Sequence, residues 1–174
     1  KGPDEAYRGK EICLGSNETM LSIADVSDKQ SPKPISRASY PNVGYSHQGW
    51  LSEDHRYFYM NDELDELAGS TPNTRTIVWD LNDLDDPQVA TMYLSPTSST
   101  DHNLYIKGDT MYQSHYRAGL RVVDISDRTK PVEVGYFDTV PYGENTPGFG
   151  GSWSNYPYFK SGNIIVTSMN EGLF

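Results

Sequence analysis

The stretch LRVVDISD at residues 120–127, followed by Pro131, decides the fold because it occurs three times. TIVWDLND at 76–83 with Pro87 and LSIADVSD at 21–28 with Pro34 follow the same template, and their first aspartates stand 55 and 44 residues apart. Each copy is a run of apolar and β-branched residues, the composition of a strand, closed by Asp-x-Ser/Asn-Asp. These short polar side chains bond nearby backbone amides and turn the chain, so Asp25, Asp80 and Asp124 read as turn chemistry. After the proline comes a second alternating run, as in PQVATMY at 87–93 and PVEVGYF at 131–137, with the period of two that marks a strand.

A second element repeats with the first. SHQGWL at 46–51, DHNLYI at 101–106 and SNYPYF at 154–159 put His47, His102 and Asn155 at equivalent positions, 55 and 53 residues apart. A further strand follows each of them, at Tyr57–Met60, Thr110–Gln113 and Asn163–Val166. Four short antiparallel strands per unit make one propeller blade, so the expected class is all-β, a β-propeller of four-stranded blades. The units read as a partial blade at 11–41, full blades at 45–95 and 100–140, and a partial blade at 150–174, in one propeller fragment of about three and a half blades. A ring usually needs about four to eight. The chain therefore reads as an excerpt of a longer protein, or as one whose remaining blades come from the same or another chain.

Composition sets outer limits. Aromatic residues make up 12% of the 174, including 13 tyrosines, enough large side chains for a core. A net charge of −10 argues against nucleic acid and anionic lipid as partners and favours cations. The single Cys13 allows no internal disulfide, and no apolar run approaches the roughly twenty residues of a membrane-spanning helix. Asn17-Glu18-Thr19 fits a glycosylation sequon.

Taken together, SHQGWLSEDHRYF (46–58), NDELDE (61–66), TIVWD (76–80), DHNLY (101–105), YRAGLR (116–121), GSWS (151–154) and GLF (172–174) resemble the bacterial LVIVD-repeat proteins, in particular the choice-of-anchor B surface proteins. The resemblance implies a secreted propeller held at the bacterial cell surface by a C-terminal anchor, and it carries no assigned catalytic residues. It transfers architecture and location rather than activity.

Several residues could carry chemistry. His47 and His102 open the innermost strands, which border the channel of a propeller, so they are candidate ligands for a transition metal, or members of a polar ring that Asn155 completes. Asp62, Glu63, Asp65 and Glu66 concentrate hard oxygen ligands suited to Ca²⁺, though not at EF-hand spacing. Asp83, Asp85 and Asp86 are a weaker set of the same kind. His115, Tyr116 and Arg117 form a possible ligand cluster, with Trp50, Tyr105 and Trp153 as aromatic anchors. His55 reads as a turn residue, and the glycines of 148–151 as a tight turn. No nucleophile elbow is present. Three functions are thus in play: a surface module that binds protein or glycan without catalysis, a metal-dependent oxidoreductase or hydrolase with channel histidines, and a structural subunit of an extracellular assembly.

Overall fold

The computed structural model describes residues 2–174 and consists of four antiparallel sheets. The first holds β1 (Ile12–Ser16), β2 (Leu21–Asp25) and β3 (Lys33–Ala38). The second holds β4 (Ser46–Leu51), β5 (Tyr57–Asp62), β6 (Arg75–Asp80) and β7 (Gln88–Leu94). The third holds β8 (Asn103–Lys107), β9 (Thr110–His115), β10 (Gly119–Asp124) and β11 (Val132–Phe137). The last holds β12 (Ser152–Tyr156), β13 (Ile165–Ser168) and β14 (Gly172–Leu173). Strands join their neighbours in sequence order, as propeller blades require, and the only helical piece among the described residues is a single 3-10 turn at Glu5–Tyr7.

The repeated template is the third strand of each blade, and its period of two explains the packing. Along β6, Ile77 and Trp79 face the first sheet, where they meet Leu21 and Ile23, while Val78 faces the third, where it meets Leu104, Met111 and Val123. Both faces of a blade are therefore buried, so this strand is continuously apolar rather than half polar. The aspartates close it as expected: Asp25, Asp80 and Asp124 accept from the backbone N–H two residues on, at 2.9, 2.9 and 2.8 Å. A register shift follows at the same place in each unit, between Ile23 and Ala24, Val78 and Trp79, and Val122 and Val123. Such bulges sharpen the local twist.

One strand differs from its expected span. In the last blade pairing begins at Ile165 rather than Asn163, because β12 stops at Tyr156, paired to Ile165, and Pro157 donates no hydrogen bond to continue the ladder.

Candidate metal centre

Strand β5 ends where β4 begins, with Asp62 opposite Ser46. The Asp62 carboxylate is spent there. It accepts from Tyr40 Oη at 2.7 Å, from the backbone N–H of Gly44 and Tyr45 at 2.7 and 2.5 Å, and from that of Leu64 at 3.3 Å. The next residue, Glu63, donates its N–H to the Tyr45 carbonyl at 2.9 Å and turns its side chain toward His47 and His102.

There three groups converge. One ligand atom each from His47, Glu63 and His102 lies within 4.8 Å of the others. Glu63 Oε2 is 3.9 Å from His47 Nε2, Glu63 Oε1 is 3.8 Å from His102 Nε2, and the two imidazole centroids are 4.5 Å apart. Both rings are oriented from behind: His47 Nδ1 lies 3.0 Å from the His102 carbonyl, and His102 Nδ1 lies 2.7 Å from the Trp153 carbonyl. A carbonyl only accepts, so each Nδ1 carries the proton and each Nε2 presents a lone pair toward Glu63. Ligating histidines are oriented in this way. Tyr116 Oη donates to Glu63 Oε1 at 2.6 Å and holds the carboxylate from a third side.

Burial holds the His102 ring below its ordinary value, against the Trp153 carbonyl and the Glu63 carboxylate, which favour the charged form. The Tyr116 phenol is pushed well up by burial and by its bond to Glu63, so it stays a donor. Two neutral imidazoles and one carboxylate match the three-ligand sets that bind zinc or iron with positions left open. Trp153 lies over His102 at a centroid distance of 4.0 Å, and Tyr116 packs edge-on against Phe149 at 5.3 Å. Trp153 and Phe149 both keep exposed surface, so aromatic rings border the centre. Gly151 helps bring this wall in: at φ +96°, with a Cβ there falling 2.3 Å from the Tyr116 carbonyl, the position accepts only glycine.

The remaining candidates separate. Asn155, which the sequence aligns with the histidines, sits two residues further along its strand, level with Leu104, while Trp153 takes the position of His102; its amide N–H goes to Ser114 Oγ at 3.0 Å and the Tyr112 carbonyl at 3.3 Å, so it does not reach the centre. The expected cluster at 115–117 is dispersed along three directions. His115 is fully buried with no partner for either ring nitrogen among the described residues, whereas Arg117 turns outward to Thr146 Oγ1 at 3.0 Å. Tyr116 stands just past β9 with φ +26°, so the chain turns there and parts its side chain from that of His115. Trp50 and Tyr105 pair edge to face at 5.0 Å, and Trp50 stands three residues along β4 from His47. The acidic run does not act as one site: Asp62 is saturated, Glu63 joins the histidines, and Asp65 and Glu66 turn into the interior, both buried. Asp83 and Asp85 meet Asp4 at the surface, while Asp86 is not in that group.

Comparison with known proteins adds one repeat match and the fold. Residues 102–139 match the LVIVD repeat. The chain carries an LVIVD repeat. No curated protein matches this LVIVD-repeat chain. Among solved structures it is similar to the periplasmic gluconolactonase PpgL of Pseudomonas aeruginosa, with a TM-score of 0.68 at 15% identity over 90% of the chain. The LVIVD-repeat chain spans 46% of that structure's length, and at this identity the likeness concerns fold alone.

Proposed function

We propose that this LVIVD-repeat chain contributes a metal-dependent hydrolytic centre to a propeller that works outside the cytoplasm. The convergence of His47 Nε2, His102 Nε2 and the Glu63 carboxylate carries the reading. A borderline metal such as Zn²⁺ suits two imidazoles and a carboxylate, and when bound it lowers the pKa of water toward neutrality and polarises a carbonyl. The chain's own residues supply the rest: Trp153 and His102 carbonyls fix the rings, Tyr116 fixes Glu63, and Trp153 and Phe149 offer apolar faces to a substrate. The substrate class we infer is an uncharged ester or lactone, because the acids around the centre repel anions. The gluconolactonase name of the structural neighbour is consistent with that class.

The test is a metal assay followed by turnover. Protein loaded with one Zn²⁺ should open a simple lactone, and Glu63→Gln should lose both metal and activity. A fully loaded protein inert toward a panel of lactones and esters would remove the hydrolytic reading.

A second reading keeps the propeller as a non-catalytic module for protein or glycan. It rests on the aromatic row of Trp50, Tyr105 and Tyr158, with Trp50–Tyr105 at 5.0 Å and Trp50–Tyr158 at 6.1 Å. Glycan binding that survives both Glu63→Gln and metal removal but not Trp50→Ala would favour this alternative.

A further inference from the structure

The histidine pair is flanked by aromatic rings. From Tyr45 through His47 and His102 to Trp153 the rings follow one another, with centroids 5.9, 4.5 and 4.0 Å apart and interplanar angles of 31, 41 and 36°. Ladder register explains why the indole joins this row: Trp153 takes in the last blade the place that His102 holds in the third. Its backbone carbonyl accepts from His102 Nδ1 at 2.7 Å, its ring lies against His102, and it meets Tyr116 edge-on at 6.0 Å. Although fixed at these points, Trp153 is 42% exposed. Phe149 stands on the same tyrosine at 5.3 Å and is 53% exposed. It is set there by Gly148 and Gly150 on either side, whose φ of +140° and +119° suit glycine alone. Trp153 and Phe149 make angles of 84° and 78° with the Tyr116 ring, so Tyr116 supports both while its hydroxyl reaches Glu63.

Two large apolar rings held rigid and left uncovered beside a polar centre have the character of a ligand-binding surface, because fixed aromatic side chains lose little freedom when a ligand settles on them. We propose that Trp153 and Phe149 form an aromatic platform that selects an uncharged ester carrying a flat aromatic ring, with the ester group at the His47–Glu63–His102 centre. The inference rests on the hydrolytic reading and narrows its substrate class. A flat ring gains offset or edge-on contact with both side chains and brings few rotatable bonds to freeze. A short alkyl ester covers less of the indole and gains less from it.

Benzyl acetate and ethyl acetate share one acetyl group and differ in the ring, so their hydrolysis by the full Zn²⁺-loaded chain isolates the platform. The parent should favour benzyl acetate in kcat/KM by about tenfold, mainly through KM. Trp153→Ala should remove most of that preference and Trp153→Phe, which keeps an aromatic face, should restore it. Elemental analysis should still find the metal in both variants, since any residue at 153 supplies the carbonyl that orients His102. A second readout does not need turnover: N-benzylacetamide, the amide analogue, should receive saturation transfer at its ring protons from the parent and lose it with Trp153→Ala. Equal kcat/KM for the two esters would overturn the proposal, as would a Trp153→Ala protein that keeps both the benzyl preference and the ring contact. Ring contact that depends on Trp153 in a protein inert toward every ester would instead overturn the hydrolytic reading and leave the ring-binding surface standing.

Discussion

His47 and His102 share one register position on successive inner strands, and in the last blade that position belongs to Trp153, whereas Asn155, which the sequence aligns with the histidines, lies level with Gly49 and Leu104. The amide of Asn155 is absorbed by Ser114 and Tyr112 of the neighbouring blade. The two rings instead give Nδ1 to a backbone carbonyl on the next inner strand and turn Nε2 toward Glu63. The site is therefore no symmetric ring. It exists because the second blade carries the 62–66 loop and the third blade has no counterpart to it. Repetition supplies the scaffold, and one insertion supplies the chemistry.

This contrast between repeated ring and inserted carboxylate can be broken in several places. The largest effect is expected from Glu63→Ala, which should abolish stoichiometric Zn²⁺ binding measured by elemental analysis, although both histidines remain. Asn155→His offers the reverse experiment. If the sequence alignment rather than the ladder register defined the ring, a third imidazole there would tighten binding. We expect no gain in metal affinity and a loss of about 1–3 kcal/mol in denaturant unfolding, because Asn155 is buried and the larger ring overpacks its place.

Tyr116→Phe removes the donor to Glu63 without changing the fold and should weaken metal binding by about 10–100-fold in a competition titration. Acid acts through His102. Its folded value is lowered, so the neutral ring is favoured in the native state, and the stability this gives is present above the ordinary value near 6.5 and lost as pH falls through the folded one. Metal affinity should fall in the same direction, since the proton competes for Nε2.

The smallest effect concerns His115, which burial, with Arg121 adding, brings down to about 3. Between the ordinary value near 6.5 and pH 3 the native state resists a proton that the unfolded chain accepts, so stability is lost as pH falls across that window. His115→Leu should flatten this part of the stability profile. At neutral pH, where the ring is neutral and unpartnered, it should change stability by no more than about 1 kcal/mol.

The fold was legible because its signal is repeated. Three copies of the third strand fix the strand order and the turn positions, and LRVVDISD occupies β10 and the turn that follows it, whereas the third inner-strand copy aligns two residues out of its ladder register. The histidine pair was legible for the same reason. Glu63 was visible only as one member of an acidic run, since nothing in DELDE states that Asp62 is saturated by Tyr40, Gly44 and Tyr45 while its neighbour swings to the channel. Sequence proximity of His115, Tyr116 and Arg117 does not make a cluster, because the chain turns at Tyr116, just past β9, where φ is +26°.

The central claim, that an inserted glutamate converts two repeated histidines into a metal centre, is tested most directly by Co²⁺ titration of the full chain. The account predicts saturation at one equivalent, with a visible absorption spectrum of low-symmetry nitrogen and oxygen coordination that Glu63→Gln and His102→Ala each eliminate. A spectrum that Glu63→Gln leaves unchanged, or protein that binds no Co²⁺ at all, would contradict it.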